Sequence, residues 1–358
     1  MKCFRNAIVC QLFIVSFFTG ICLAVDSRPL DEGEKGRLYS AWERSRSRAT
    51  LPIDVTFSKK TINSPTFTES RRKQRQQKNE EIRKDPKKSN RNIEFKSAGF
   101  LSANKKEEIF LYQLRVRING FSKYREDVIV FGDEKKEKKS RDEARINNSE
   151  TNFKIDKKRK HVSFNNRLRW GASRDALTYG TFVGHGEIVK DIIRLWRTNS
   201  VDVDPNVDVD PNVDTTTREF RRKGIVKIAG MDTVVIELLD LKNKHSIYEM
   251  FLDVNDWGRC YKLVWYNEDG TCEKRISEFS KFLEDKESGI LYPRLIVQKY
   301  FYDECEEKKR DIINIQKVNI GLSLPDDVFK LNVSDDYTII DRRMDPVLVI
   351  PAKSKSEG

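Results

Sequence analysis

The residue types that most often carry out catalysis are scarce in this sequence and form no recognisable pattern. His161, His185 and His245 lie far apart, and none has metal-ligand spacing with another histidine or with a cysteine. There is no glycine-rich phosphate loop and no nucleophile elbow. Carboxylates are plentiful, but most lie in charged runs typical of exposed surface. We therefore expect no enzymatic activity, no cofactor and no metal.

The cysteines can be placed by a register argument. If residues 272–283 and 293–302 form a hairpin, opposed residue numbers sum to about 576, which puts Cys272 opposite a neighbour of Cys305. The register therefore makes Cys272 and Cys305 a disulfide candidate and leaves Cys260 as a buried thiol. The alternative, in which all three thiols are reduced, stays open.

The N-terminus has the layout of an export signal. Lys2 and Arg5 precede an apolar run, and small residues occupy the positions before a cleavage site that follows Ala24. The run is shorter than the ~20 residues of a membrane span. We predict a signal peptide over residues 1–24 and an exported protein, periplasmic or in the cell envelope, where disulfides can form. An uncleaved anchor and lipidation at Cys22 are the alternatives.

The composition predicts a packed core together with an extensive charged surface. Of 358 residues, 38% are hydrophobic and 35% charged, with a formal net charge of +12; globular domains have ~45–50% apolar and ~25% charged residues. Residues 71–92 are the most basic block, with ten Lys or Arg, three Asp or Glu and no aromatics. This composition predicts a disordered or solvated insertion.

Two classes of partner follow from the charged segments. The basic block suits an anionic membrane surface or an acidic protein. We expect no nucleic acid, because stacking aromatics are missing and export removes the chain from the cytoplasm. Residues 201–216 contain VDVDPN twice. This repeat lacks the glycine and the bidentate glutamate of a calcium loop, so we interpret it as a flexible acidic loop.

Periodicity predicts a helix and several strands in the first half of the chain. Asp31 could cap a helix over residues 31–48, with Leu38, Ala41, Trp42 and Ser45 on one face. A second helix is predicted over residues 185–197. Strands are predicted at 52–62, 108–118, 124–131 and 161–170, with Asn119-Gly120 as a tight turn. Residues 133–160 are highly charged.

The second half of the chain has the pattern of consecutive antiparallel strands. Apolar runs rich in Val, Ile, Tyr, Phe and Trp alternate with turn signals such as Asn267-Glu268-Asp269-Gly270. The predicted strands are 224–229, 233–241, 247–254, 260–266, 272–283, 294–302 and 311–322. The opposite faces of these strands are apolar too, at Val235, Phe251, Val264 and Tyr266. A sheet that is apolar on both faces needs cover on both sides, or one face that holds a ligand.

One face of these strands is the candidate cavity. Its proposed lining consists of Val234, Ile236, Tyr248, Met250, Tyr261, Leu263 and Trp265, with Ile192 and Trp196 of the helix at 185–197 as a lid. The alternative for each residue is ordinary core packing.

Several turn and packing motifs resemble those of a known family. The motifs are Phe251-Leu252-Asp253, Trp257-Gly258-Arg259 before Tyr261–Tyr266, Ser288-Gly289-Ile290-Leu291-Tyr292-Pro293, Leu324-Pro325-Asp326-Asp327-Val328-Phe329, and Tyr337–Asp341. Over residues 224–341 the chain resembles the outer-membrane lipoprotein-sorting carriers. The resemblance implies an α+β fold, with a curved antiparallel half-barrel sheet, helices on its concave face and a cavity for acyl chains. The chain departs from the family in its charged insertions and at Ser334-Asp335-Asp336.

The sequence thus predicts an exported, non-enzymatic protein that binds a lipid or a lipoprotein acyl chain in a half-barrel cavity. The alternative is a secreted scaffold or envelope sensor that docks acidic partners through its basic insertion. The predicted divisions are a signal peptide (1–24), an N-terminal helix and strand (25–70), the basic insertion (71–92), the first part of the half-barrel (93–200), the acidic loop (201–216), the C-terminal meander (217–345) and a tail (346–358).

Overall fold

The computed structural model describes most of the chain in eight stretches. They are residues 27–49, 51–84, 108–119, 123–131, 139–148, 151–164, 217–302 and 304–352. The predicted signal peptide, the acidic repeat and the helix expected at 185–197 with Ile192 and Trp196 lie outside the described residues.

The described residues form two α-helices and sixteen strands. The helices are α1 (Glu32–Ala49) and α2 (Pro65–Lys84). The strands are β1 (Arg28–Pro29), β2 (Ile53–Asn63), β3 (Glu108–Asn119), β4 (Lys123–Phe131), β5 (Lys139–Asn147), β6 (Asn152–Asp156), β7 (His161–Phe164), β8 (Arg218–Ile228), β9 (Met231–Asp240), β10 (His245–Asp253), β11 (Cys260–Tyr266), β12 (Glu273–Glu284), β13 (Leu291–Phe301), β14 (Glu307–Ile320), β15 (Thr338–Asp341) and β16 (Leu348–Ile350).

All sixteen strands belong to one open sheet. Its order is β1-β8-β9-β10-β11-β12-β13-β14-β2-β3-β4-β5-β6-β7-β15-β16, with β1 and β16 at the two ends. The described pairings are antiparallel except the parallel pair β7–β15. The pairing of β14 with β2 joins the C-terminal meander to the N-terminal strands. The large antiparallel sheet predicted from the sequence is therefore confirmed.

Tight turns connect the meander strands, as the turn signals predict. Gly230 between β8 and β9 has φ +84°, a conformation that glycine adopts at no steric cost. Gly270 between β11 and β12 has φ +71°, and a Cβ there would lie 2.4 Å from Cβ of His245. Glycine is thus required at Gly270 both by backbone conformation and by the close approach of a neighbouring loop.

The main hydrophobic core lies between α1 and one face of the sheet, which we call the inner face. Leu38 and Ala41 of α1 are fully buried there. The core includes side chains from ten neighbouring strands, β8 to β14 and β2 to β4. Because alternate residues of a strand point to opposite faces, residues of one parity in each regular strand build this core.

A second, smaller core lies on the opposite side of the sheet, the outer face. Ala144, Ile146 and Phe153 of β5 and β6 pack there against Phe329, which ends a short 3₁₀ turn (Asp326–Phe329). Arg125 Nη1 donates to the carbonyl of Val328 at 2.9 Å and helps to hold this turn. The Leu-Pro-acid-acid-Val-Phe motif therefore has a packing role.

Two charged segments are more ordered than expected. The basic block was predicted to be disordered or solvated. Residues 71–84 instead belong to α2. Arg71 and its neighbours are exposed to solvent, as the second of these alternatives predicts. Ser64 Oγ accepts from the amide of Phe67 and caps this helix, whose Arg, Lys, Gln and Glu residues are good helix formers. The charged segment 133–160 includes β5 and β6, because Ala144 and Ile146 alternate with its charges and enter the second core.

Candidate functional site

Helix α1 crosses the inner face and is anchored at its first turn. Asp31 Oδ1 accepts from the amide of Glu34, and Glu34 Oε2 accepts from the amide of Asp31, which forms a capping box. Glu34 also accepts from Arg28 and Arg222, both at 2.8 Å. Burial raises the pKa of Glu34, but the hydrogen bonds from Arg28 and Arg222 outweigh it, and the net pKa is lowered. Glu34 thus ties α1 to β1 and β8 as a carboxylate.

The β10–β11 loop holds α1 farther along its length. The guanidinium of Arg37 lies 5.5 Å from the ring centre of Trp257, which is almost fully buried. Arg44 Nη2 lies 3.2 Å from Asp256 Oδ1. Two separate attachments therefore fix the position of α1 over the sheet.

Asp253 organises that loop, as its place in the resemblance suggests. Its Oδ1 accepts from the amide of Asn255 at 2.8 Å, and its Oδ2 accepts from Tyr261 Oη at 3.0 Å and from Arg259 Nη1 at 3.2 Å. The aspartate and the tyrosine of the motif stabilise the turn that contacts α1.

Five of the predicted cavity residues lie in the main core under α1. They are Val234, Ile236, Tyr248, Met250 and Leu263, and all are buried. Trp265 packs at the border of this core, with its ring centre 5.0 Å from that of Tyr248. Tyr261 is buried beside it and makes an edge-to-face contact with Phe282 at 5.4 Å. The structure therefore brings six of the seven described residues of the predicted set to the inner face or its border, whereas Tyr261, at a bulge between β10 and β11, is not part of that core.

In the same strands, the residues between those of the core point to the opposite face, away from α1. Val235 and Val264 are buried but are not part of the main core. Lys262 Nζ lies 5.3 Å from the ring centre of Phe251 on that outer face. The two-faced apolar character expected from the sequence is thus present in the strands themselves.

The inner face also has a polar part, which sequence reasoning missed. We call it the polar end and define it as Lys59 and Thr61 of β2, Lys309 and Asp311 of β14, Gln298 of β13 and Ser277 of β12. These residues have the same parity as the core residues Phe57, Ile313 and Ile296 of their strands. The face therefore changes from apolar to polar along a line that crosses four neighbouring strands.

A buried carboxylate lies at the centre of the polar end. Asp311 is 1% exposed; it accepts from Thr61 Oγ1 at 2.7 Å and from Lys309 Nζ at 2.8 Å, and Lys59 Nζ lies 3.0 Å away. Burial raises the pKa of Asp311, but the charges of Lys59 and Lys309 and the hydrogen bonds from Lys309 and Thr61 outweigh it, and the net pKa is lowered. Beside it, Gln298 Nε2 donates to Ser277 Oγ at 3.3 Å, and Tyr300 Oη donates to Gln298 Oε1 at 3.1 Å.

Positive side chains outnumber carboxylates around Asp311. Burial lowers the pKa of Lys309, and the positive charges of Lys59 and Arg71 lower it further against the attraction of Asp311. Arg71 of α2 also acts on Tyr112 of β3, on the same side of the sheet. Glu108, another carboxylate at this end of the strands, accepts from Asn63 Nδ2 at 3.2 Å.

A disulfide lies near this end of the sheet and joins the residue before β12 to the loop between β13 and β14. The structure joins Cys272 and Cys305, whose Cα atoms are 5.3 Å apart. Arg275 pairs with Tyr300 in the hairpin of β12 and β13, one residue from the register assumed in the sequence analysis. Cys260 is a buried free thiol, and burial raises its pKa to about 12.

The described residues offer no group of three or more His, Cys, Asp and Glu side chains suited to hold a metal ion. Neither described helix combines the length and the apolar composition needed to span a bilayer.

These features define an open antiparallel sheet with one helix fixed across its inner face, and solved structures with this fold class are known. An outer membrane lipoprotein-sorting protein domain from Vibrio parahaemolyticus matches 82% of this chain and 96% of its own, at 11% identity and a TM-score of 0.39. A LolA superfamily protein from Nitrosomonas europaea matches 82% and 98%, at 13% identity and a TM-score of 0.38. A DUF1329 family protein from Desulfovibrio piger matches 82% and 95%, at 12% identity and a TM-score of 0.38.

The likeness to these three structures is low in both identity and TM-score, and no conclusion about this chain is drawn from it. No protein-family model and no curated protein matches the sequence.

Proposed function

We propose that this chain is an exported, non-enzymatic protein that binds a lipid or a lipoprotein acyl chain between α1 and the inner face of the sheet. The observation that supports the proposal is the width of the apolar part of that face. It extends over ten neighbouring strands, or roughly 45 Å at the usual strand spacing. A helix with its side chains is only about 10–12 Å wide. The core residues of all ten strands are nevertheless buried, so a bound acyl chain would have to displace the side chains that cover this face.

Among the α1 residues whose side chains the structure describes, Leu38, Ala41 and, at the border, Tyr39 contact the core. The helix is attached to the rest of the chain at Glu34 and at Arg44. An acyl chain lying along α1 would bury apolar surface at about 0.8 kcal/mol per CH₂ group.

The first test is direct detection of the ligand. The chain from Val25 onward is purified, and bound lipid is sought by native mass spectrometry and by solvent extraction. A brominated monoacylglycerol is then added, and we expect it to quench the fluorescence of Trp265, which borders the core. The proposal fails if no lipid is extracted and no quenching occurs.

A matched pair of variants locates the ligand. Met250→Gln nearly preserves volume but places an amide in the inner-face core, and we expect several-fold weaker binding of the monoacylglycerol. Val264→Thr is a similarly isosteric change on the outer face and should leave binding unchanged. Equal effects of the two variants would contradict an inner-face site.

Helix α2 supports a second candidate function, a scaffold or sensor that docks an anionic membrane surface or an acidic protein. It contains seven Lys or Arg and three Glu, and Arg71, Arg72 and Lys73 are exposed. Deletion of residues 71–92 distinguishes the two functions. Under the second it abolishes partner binding, whereas under the first it leaves binding of the monoacylglycerol intact.

The proposed location is the periplasm or the cell envelope. Expression of the full chain in a Gram-negative host, followed by fractionation and N-terminal sequencing, tests it. We expect a periplasmic product that begins at Val25.

A further inference from the structure

The polar end holds one more lysine than is needed to neutralise its buried carboxylate. One carboxylate, Asp311, is neutralised by one cation, yet Lys59 and Lys309 both lie within 3.0 Å of it. The buried carboxylate is 1% exposed, whereas the Lys59 and Lys309 side chains are 16% and 27% exposed. The two ammonium groups thus keep access to the space in front of the sheet.

A third cation is directed to the same place by α2. The amide of Ser64 donates to the carbonyl of Lys308 at 3.1 Å, and the Phe67 ring centre lies 5.0 Å from Lys308 Nζ and 6.5 Å from the Tyr302 ring centre. The first turn of α2 is therefore fixed at the end of β2 and β14. Arg71, one turn farther along, acts electrostatically on Lys309.

The polar end is continuous with the apolar part of the inner face. Asp311 and Ile313 are successive residues on one side of β14, as are Lys59 and Phe57 on β2. Residues two apart in a strand are separated by roughly 7 Å. Phe57 and Ile313 are 1% and 2% exposed, so an acyl chain would reach them only by displacing the side chains that cover them. Such a chain would bring its polar group directly to Lys59 and Lys309.

We propose that the polar end binds the anionic headgroup, a phosphate or a carboxylate, of an amphiphile whose acyl chain lies on the apolar part of the inner face. Lys59, Lys309 and Arg71 supply the positive charge. Asp311 keeps the two lysines together while no ligand is bound. This inference rests on the proposed function, because the apolar part must hold the chain.

The test compares two amphiphiles with the same acyl chain. Binding of 1-oleoyl lysophosphatidate, which is anionic, and of monoolein, which is neutral, is measured calorimetrically below their critical micelle concentrations on the chain from Val25 onward. A charge-assisted hydrogen bond contributes about a tenfold change or more in affinity, so we expect lysophosphatidate to bind at least about tenfold more tightly.

Variants assign the preference to the polar end. Lys309→Gln should reduce lysophosphatidate affinity about tenfold and leave monoolein affinity unchanged. Lys299→Gln, on the outer face of the adjacent strand, is the matched control and should change neither. Arg71→Gln lies on the exposed α2 and gives the same readout if Lys309→Gln does not fold.

The outcomes separate this inference from the proposed function. Equal affinity for both amphiphiles overturns the headgroup site but keeps acyl binding, whereas failure of both to bind overturns both proposals. Inorganic phosphate is the third probe. If it binds as tightly as lysophosphatidate, the site serves free phosphate and the headgroup assignment is wrong.

Discussion

Arg222 Nη1 lies 2.8 Å from Glu34 Oε1 and joins strand β8 to the first turn of α1 across 188 positions of sequence. Arg28 of the short strand β1 contacts the same carboxylate. The contact fixes the first turn of α1 to the edge of the sheet, and Leu38 and Ala41 of the same helix pack on the inner face. Glu34 therefore positions the helix that would border a bound ligand.

Removal of the Glu34 charge should loosen α1. Glu34→Gln keeps the volume but weakens the hydrogen bonds from Arg28 and Arg222, and we expect the free energy of unfolding to fall by about 2 kcal/mol in urea titrations. Glu32→Gln is the control, since the Glu32 side chain is 79% exposed and forms an ion pair with Lys35 three residues away; its effect should be at most about 0.5 kcal/mol. Equal losses of unfolding free energy in the two variants would contradict a special role of Glu34 in holding α1.

Acid should weaken the same anchor. The pKa of Glu34 in the folded chain is below 4.5, so its contribution is full above that pH and is lost as the pH falls through the lowered value. The difference in unfolding free energy between wild type and Glu34→Gln should therefore be constant near pH 6 and shrink as the pH falls through the lowered pKa. A difference that grows on acidification would contradict a lowered pKa.

The meander could be predicted from the sequence because its signals are local. Turn residues such as those before Gly270 follow apolar runs at short intervals, and each strand pairs with the next one in the chain. The pairing of β14 with β2 is different, since it joins segments about 250 positions apart, such as Thr61 and Asp311. No local pattern specifies that neighbour.

The polar end escaped prediction for the same reason. Within β2 the period of two already puts Lys59 and Thr61 on the side of Val55 and Phe57. Within β14 it does the same for Asp311 and Ile313. Only the β2–β14 pairing shows that these charged residues lie side by side. Helix α2 was not predicted because its many charged residues are also typical of a disordered insertion.

The thiols should differ in reactivity. In native protein from Val25 onward, iodoacetamide should label no cysteine, because Cys260 is buried and its pKa is raised to about 12. Mass spectrometry after denaturation should show one label without reductant and three with reductant. Cys272→Ser/Cys305→Ser should lower the unfolding free energy by about 3–4 kcal/mol for a loop of 33 residues. Three labels without reductant would show that the disulfide is absent.

Asp311→Asn should separate the structural and binding roles of the polar end. The variant leaves Lys59 and Lys309 close together with no carboxylate between them, and we expect a loss of about 3 kcal/mol in unfolding free energy. Asp54→Asn is the control, because Arg115, its partner, is 52% exposed; its loss should stay below about 1 kcal/mol.

The same substitution should have the opposite effect on an anionic ligand. Without Asp311, Lys59 and Lys309 are free to pair with the headgroup, so lysophosphatidate should bind Asp311→Asn more tightly than wild type and raise its melting temperature by a larger increment. Monoolein should give equal increments in the two proteins. If Asp311 only stabilises the fold, the variant will be less stable and lysophosphatidate will not compensate for the loss. If removal of the Asp311 carboxylate lowers the stability of the chain and at the same time strengthens anion binding, the polar end is a binding site.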